Sequence, residues 1–208
     1  MKTSIHLVAG AATCLVGAAG ALAAPIAVVT SDDGTVQING TVDTTGIRAT
    51  AQESGGTVQL RGVFEFDLSA VVPDGATITS ASFQGRVNKA GTGDVDLFGY
   101  AGDGSVTAAD FGAAGSVVST LNLSDLDTVD NFSFAFADLA GLQAAAEGDG
   151  LYTLRTDGAS FETFAVFTLE EPNGINPTLV LNVAPVPEPG ALLGGGALVG
   201  LVALRRRR

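Results

Sequence analysis

The feature that most restricts the fold is an alternation of apolar and polar residues over positions 57–68. One parity carries large apolar side chains and the other carries polar ones: Val58, Leu60, Phe64, Phe66 and Leu68 against Gln59, Arg61, Glu65 and Asp67. Successive side chains of a strand point to opposite faces of a sheet. The segment therefore predicts a strand with one face on a core and the other face in water.

The pattern of short apolar runs continues to the end of the central region. Runs bounded by Gly, Asp, Asn and Pro predict further strands over 78–87, 95–100, 116–123, 131–136, 151–156, 163–169 and 178–183. Pro73-Asp74-Gly75 predicts a turn before the first of them, since proline presets φ and glycine allows positive φ. Residues 138–147 predict the one helix, with Leu139, Leu142 and Ala146 on one face.

The region before residue 57 gives a weaker signal. Residues 26–30 predict an edge strand, and residues 31–56 predict a loop-rich stretch. We therefore divide the exported part into a loop-rich segment, 24–56, and a β domain, 57–184.

The N-terminus has the pattern of a secretory signal peptide. Lys2 supplies a positive charge, residues 7–19 form an apolar run, and Ala21-Leu22-Ala23 is a small-residue cleavage site. We expect residues 1–23 to be removed by cleavage before Ala24.

This cleavage changes the chemical inventory of the chain. It removes Cys14 and His6, which are the only cysteine and histidine. The mature protein then has no thiolate or imidazole metal ligand, no Ser-His-Asp triad and no disulfide.

The mature segment is also strongly acidic. Between Ala24 and Glu188, 22 acidic residues face five basic ones, which gives a net charge of −17. Nucleic acid and anionic lipid are disfavoured as partners, because their phosphates would be repelled.

The last residues, 185–208, have the order of a sorting signal. Pro187, Glu188 and Pro189 precede a glycine-rich apolar run, 190–204, and a terminal cluster of Arg205, Arg206, Arg207 and Arg208. As a helix the run would span roughly 22 Å, less than the bilayer core of about 30 Å, so we predict a marginal transmembrane helix. The arginines should stay on the cytoplasmic side, which places the body of the chain outside.

This tail closely resembles the PEP-CTERM sorting signal of Gram-negative bacteria. The resemblance implies transient insertion in the inner membrane and processing by an exosortase at or near the Pro-Glu-Pro motif. It also implies delivery to the cell envelope, the cell surface or the extracellular matrix. The alternative is an ordinary C-terminal anchor that is kept.

A second resemblance covers most of 58–183. Phe64-Glu65-Phe66-Asp67-Leu68-Ser69, the segment Pro73-Asp74-Gly75-Ala76-Thr77-Ile78, and Pro177-Thr178-Leu179 look like the DNRLRE-type domain of bacterial surface proteins. It implies a jelly-roll-like antiparallel β-sandwich with one short helix. The tryptophan-rich segment that such domains often carry is absent here, so a shared ligand is not implied.

The sequence contains one partial calcium motif. Residues 103–110 match the second half of a calcium loop, with Asp103 and Asp110 at its ends. Gly99 and Ala101 stand where earlier oxygen ligands belong, so an ordinary turn is the alternative.

Other acidic residues are candidate metal ligands only if the fold brings them close together. Asp94 and Asp96 share one face of a predicted strand, and a predicted loop holds Asp125, Asp127 and Asp130. We predict no metal and no other cofactor; if a metal site exists, calcium is its cation and Asp94, Asp96, Asp103 and Asp110 are its candidate ligands.

These observations favour a non-enzymatic exported protein. The mature chain has no tryptophan, only Tyr100 and Tyr152 as tyrosines, and no group of residues that converges on an active site. We predict a structural or adhesive protein of the cell surface or matrix, with a carbohydrate-binding module for extracellular polysaccharide as the alternative. Exposed aromatics along a groove would favour the alternative, and several acids around one pocket would favour an enzyme.

The sorting motif gives a direct test. If an exosortase recognises Pro187-Glu188-Pro189, protein released from the cell surface should lack Arg205 to Arg208. Intact-mass measurement checks this, and Glu188→Ala should block release without affecting signal-peptide removal. Released protein that keeps the complete tail in cells with an exosortase would contradict the prediction.

Overall fold

The computed structural model describes residues 24–184 except 47, 55–57, 90, 92, 127–130, 159–162 and 172–174. The predicted signal peptide, 1–23, and the predicted sorting segment, 185–208, lie outside these residues. Within the described ranges, no helix has the length and apolarity needed to cross a bilayer.

The described residues form twelve strands and one α-helix. The strands are β1 Ile26–Val29, β2 Asp32–Gln37, β3 Val42–Asp43, β4 Arg48–Ser54, β5 Val58–Asp67, β6 Thr77–Lys89, β7 Asp94–Ala101, β8 Ser116–Asn122, β9 Asn131–Ala135, β10 Leu151–Gly158, β11 Thr163–Phe167 and β12 Thr178–Ala184. The helix α1 is Ala140–Glu147, and 3₁₀ turns lie at Ala108–Phe111 and Leu123–Asp125.

Every strand predicted from residue 57 onward is present, and so is the helix. The edge strand predicted near residue 26 is also confirmed as β1. In α1, Leu142 is fully buried while Leu139 and Ala146 pack against the same core, as the predicted helix face requires.

The prediction of a loop-rich stretch over 31–56 is wrong. This stretch contains β2, β3 and β4, and β2 pairs with β5 along its whole length. The sequence of β2 contains Asp32, Asp33 and Gly34, which intrinsically disfavour strands. Pairing with β5 outweighs this preference, because the strand buries Val36 completely and completes the hydrogen-bonding edge of its neighbour.

The sheet is antiparallel throughout the described residues and curls back on itself. Its path runs β1-β12-β6-β11-β4-β5-β10-β7-β8, with β2 added to β5, β3 added to β2, and β9 added to β6. Two layers face each other across one core, which is consistent with a β-sandwich.

The core is centred on aromatic contacts between the layers. The Phe83 ring of β6 lies 5.0 Å from the Phe64 ring and 6.2 Å from the Phe66 ring of β5, measured between centroids. Phe132 of β9 extends this contact to Phe164 of β11. The core-facing parity predicted for β5 is therefore confirmed for Phe64, Phe66 and Leu68, whereas Leu60, predicted on the same face, is half-buried and borders a surface groove.

The opposite face of β5 differs from the prediction. Val63 and Glu65 are fully buried there instead of facing water. Val63 packs with Val36 and Val106 in a second, small hydrophobic cluster, and Val106 comes from the β7–β8 connection. Alternation correctly separates the two faces, but it does not reveal that a distant loop covers the second one.

The confirmed register gives a stability test. Phe66→Ala should lower the free energy of unfolding by about 3 to 5 kcal/mol, because the lost transfer energy adds to the cost of a cavity. Val117→Ala is the control, since Val117 is 44% exposed and its truncation should cost less than about 0.5 kcal/mol. A urea titration of residues 24–184 measures both, and equal losses would contradict the assignment of Phe66 to the core.

Candidate functional site

An open groove lies between the β2–β3 hairpin and β4. It has a volume of about 450 Å³ and is lined by Thr35, Gln37, Asp43, Gly46, Arg48, Thr50 and Leu60. We call it the rim groove. Its lining offers hydroxyl, amide, carboxylate and guanidinium groups around one apolar side chain.

A side-chain bridge holds the two walls of the rim groove together. The Thr35 hydroxyl donates to the carbonyl oxygen of Arg48 at 3.4 Å, and its oxygen accepts the backbone N–H of Thr50 at 3.0 Å. Because Thr35 is 9% exposed, these bonds are largely shielded from water. The spacing of the walls is therefore set by structure that exists before any ligand arrives.

The two charged side chains of the rim groove, Asp43 and Arg48, differ in their hydrogen bonding. Oδ1 of Asp43 accepts from the backbone N–H groups of Thr45 and Gly46, both at 3.1 Å, and from the Thr45 hydroxyl at 3.2 Å. Arg48 is exposed and forms no ion pair with the described residues. Asp43 thus serves the turn, whereas Arg48 remains available to a ligand.

A smaller pocket of about 80 Å³ adjoins the groove, and Leu60 borders both. In this pocket the guanidinium of Arg61 lies 2.9 Å from Oδ2 of Asp157. The same guanidinium stacks on the Phe111 ring, 4.2 Å from its centroid, and donates to the Phe111 carbonyl. Asp157 is therefore neutralised by an ion pair.

The connection between β7 and β8, residues 102–115, covers the outer face of β5 and β10. We call it the cover loop. Arg155 of β10 donates to the carbonyl oxygens of Asp110 at 3.0 Å and Ala113 at 2.7 Å. Oδ2 of Asp32 accepts the backbone N–H of Val106 at 2.8 Å. The loop is thus attached at both its first and its second half.

Glu65 lies beneath the first half of the cover loop. It is fully buried, and its Oε1 accepts the Thr153 hydroxyl at 2.5 Å, while Oε2 has no hydrogen-bond partner. Its pKa is raised to about 7, chiefly by burial and also by the negative charges of Asp110 and Asp103, against the opposing effects of the Thr153 hydroxyl and the backbone N–H of Gly104. Near neutral pH this carboxyl is close to its point of ionisation.

Asp33 of β2 is a second buried carboxyl. It is 1% exposed, Oδ2 accepts the backbone N–H of Leu169 at 3.2 Å, and Oδ1 has no partner. Burial raises its pKa to about 7, the negative charge of Glu170 adds to the rise, and the Leu169 hydrogen bond opposes it. The described residues therefore include two buried acids, Glu65 and Asp33, whose pKa values are raised by burial.

The structure does not gather the candidate calcium ligands. Asp94 and Asp103 lie at opposite ends of β7, and Oδ1 of Asp96 accepts the Thr120 hydroxyl at 2.6 Å. Oδ1 of Asp103 accepts from the N–H and hydroxyl of Ser105. Within the described part of the chain, no group of three acids could hold a metal ion.

Asp110 has a structural role in the cover loop. Its Oδ2 accepts the backbone N–H of Thr107 at 2.7 Å, and its Oδ1 accepts the Tyr100 hydroxyl at 3.0 Å. These bonds cap the 3₁₀ turn at Ala108–Phe111 and engage both oxygens. The segment 103–110 thus forms a capped turn.

The remaining predicted site residues cannot be placed. Asp127 and Asp130 lie outside the described residues, and so do Ala21 and Ala23 of the cleavage site. The sorting residues Pro187, Glu188 and Pro189 and the terminal cluster of four arginines, Arg205 to Arg208, lie outside them too.

The sequence pattern did not reveal the rim groove, because all of its lining residues except Leu60 fall in the stretch predicted to be loop-rich. A usable signal exists in β4, where Arg48, Thr50 and Gln52 alternate with Ala49 and Ala51. Both alanines are buried. Alanine is a weak marker of a core face, so the alternation indicates a strand less clearly than in β5.

No family model and no curated protein matches the chain. Among solved structures, the chain is similar to a xylan-binding module CBM15, with 11% sequence identity and a TM-score of 0.41. The match covers 76% of this chain and 96% of the module.

The buried Asp33 predicts that stability falls as pH rises. A carboxyl whose folded-state pKa lies near 7, above its ordinary 3.8, favours the fold at low pH, and this contribution is lost as pH rises through about 7. Asp33→Asn should therefore raise the free energy of unfolding at pH 8 by on the order of 2 to 4 kcal/mol, with little gain at pH 4.

The control is Asp74→Asn, which removes the same charge from an exposed turn. It should change stability by less than about 0.5 kcal/mol at either pH. Urea titrations at the two pH values measure the difference. An equal gain from both substitutions would mean that overall charge, and not burial of Asp33, controls the pH dependence.

Proposed function

We propose that this chain is an exported, non-enzymatic protein of the cell surface or matrix whose domain binds an extended polysaccharide in the rim groove. The observation that carries the proposal is the composition of that groove. Thr35, Gln37, Arg48 and Thr50 present hydrogen-bonding groups along an open channel, with Leu60 as apolar contact. Sugar hydroxyls need such donors and acceptors, and an open groove admits a chain.

The rim groove does not meet the criterion stated from the sequence, exposed aromatics along a groove, for a carbohydrate-binding module. No aromatic side chain is among its lining residues in the described part of the chain. Recognition would therefore rest on hydrogen bonds, which contribute only about 0.5 to 1.5 kcal/mol each in water. Weak binding, with Kd on the order of 0.1 to 1 mM per site, fits an adhesive role in which many copies act together.

Binding fits the groove better than catalysis does. Hydrolysis of a glycosidic bond uses two carboxyl groups on either side of the bond. Asp43 accepts three hydrogen bonds from its own turn, and Asp157 in the adjoining pocket is paired with Arg61. Incubation with a bound polysaccharide should release no reducing ends.

Export and sorting complete the proposal. The signal peptide would direct the chain across the inner membrane, and the PEP-CTERM-like tail would present it to an exosortase. The jelly-roll-like, DNRLRE-type arrangement of the sandwich belongs to the same proposal. A domain with an acidic surface and a polysaccharide-binding groove suits the hydrated matrix outside the cell.

The binding proposal is tested by affinity electrophoresis of residues 24–184. The gels contain a panel of soluble polysaccharides, neutral and uronate-containing, with and without calcium. At least one polymer should retard the domain, and Gln37→Ala and Arg48→Ala should each weaken the retardation about tenfold, since each removes a ligand-facing group.

Matched controls lie on β6, away from the groove. Gln84→Ala and Arg86→Ala remove the same side-chain types and should leave retardation unchanged. Absence of retardation by every polymer would contradict the proposal. Equal losses from groove and control variants would show that the ligand binds elsewhere.

A further inference from the structure

The cover loop lies over a buried carboxyl, that of Glu65 on β5, and carries two acids of its own, Asp103 and Asp110. Oε2 of Glu65 has no partner although the side chain is fully buried. Gly102 of the loop packs so closely that a Cβ at this position would overlap Oε2. The loop thus closes directly over an oxygen that cannot carry a charge without solvent or a partner.

The surroundings of Glu65 contain more negative than positive charge. The titratable and charged groups that face it are Asp32 from β2, Tyr100 from β7, Arg155 from β10, and Asp103 and Asp110 from the cover loop. Arg155 does not neutralise Glu65, because its Nη1 donates to the carbonyl oxygens of Asp110 and Ala113 and its ring contacts are to Phe98 and Tyr100. Ionised Glu65 would face several carboxylates without a paired cation, and only the Thr153 hydroxyl and the backbone N–H of Gly104 favour the charged form.

The two halves of the cover loop are held in different ways. The second half is held by Arg155 through carbonyl oxygens, a contact that does not depend on Glu65. The first half, 102–107, is held by the N–H of Gly102 on the Leu151 carbonyl and by the N–H of Val106 on Asp32. Gly104 in this half has φ of +86°, a conformation that glycine adopts without the strain it would cause in other residues.

We infer that residues 102–107 act as a proton-controlled latch on the outer face of the sandwich, closed over neutral Glu65 and released when Glu65 ionises. Release lets water reach Oε2, which removes the desolvation cost, and it separates Asp103 from the new charge, while Asp110 stays in place on Arg155. The direction follows from the raised pKa of this carboxyl: the closed form is favoured at low pH and loses its advantage as pH rises through about 7.

Hydrogen exchange of the purified full chain tests the latch. The amides of Gly102, Val106 and Thr107 are hydrogen-bonded in the closed form and report on it. After correction for the intrinsic pH dependence of exchange, the opening equilibrium of a peptide covering 102–107 should increase about tenfold or more between pH 5.5 and pH 8. Peptides from β5 and β10 serve as internal references and should change much less.

Glu65→Gln is the decisive variant, because it keeps an acceptor for Thr153 and cannot ionise. Its latch peptide should stay protected at pH 8 as it is at pH 5.5. Asp33→Asn is the matched control: it removes the other buried carboxyl and should leave the pH response of the latch unchanged.

Three results would overturn the inference. A wild-type latch peptide with pH-independent opening would overturn the inference, and that result stands even if Glu65→Gln fails to fold. An unchanged pH response in folded Glu65→Gln, or its loss in Asp33→Asn, would also overturn the assignment to Glu65.

Discussion

The structure depends on the contact between Phe83 and the two phenylalanines of β5. Phe64 and Phe66 project from one layer and meet Phe83 from the other, so three rings connect the sheets near the centre of the core. The predicted mature chain has no disulfide or thiolate metal site to hold the layers together. Apolar burial must therefore supply the cohesion, and the position of the rim groove and the cover loop follows from it.

On the outer face of β5, one loop buries apolar side chains and a carboxyl group together. The cover loop brings Val106 onto Val36 and Val63, which is favourable, and in doing so it also encloses Glu65. Arg155 donates to carbonyl oxygens of the loop and leaves the Glu65 carboxyl without a counter-charge. The apolar gain and the buried acid thus come from the same closure, and this opposition makes the covered face sensitive to protons.

The rim groove forms where β2 and β4 lie side by side without pairing as strands. β2 and β4 approach each other through the hydroxyl of Thr35 instead of a continuous strand ladder. Where two strands are joined by side chains, space remains between them, and the polar side chains of both strands line it. Among the described residues this lining has no aromatic side chain, so the proposed polymer would be held by many weak polar contacts.

Local patterns in the sequence determined most of the architecture. Period-two alternation located β5 to β12, and it assigned Phe64 and Phe66 to the core, because the direction of a strand side chain depends only on its parity. The short helix was equally readable, since Leu139, Leu142 and Ala146 recur at helical spacing. Composition also determined the acidic character of the domain.

Only the tertiary structure decided which polar residues are buried and where a groove opens. Glu65 has the parity of a solvent-facing residue, and its burial depends on a loop that lies far along the chain. β2 and β4 give weak sequence signals because Asp, Gly and Ala carry little strand preference, and pairing with β5 and β11 supplies what the local sequence lacks. The groove needs both of these strands in place, so it could not be found before they were.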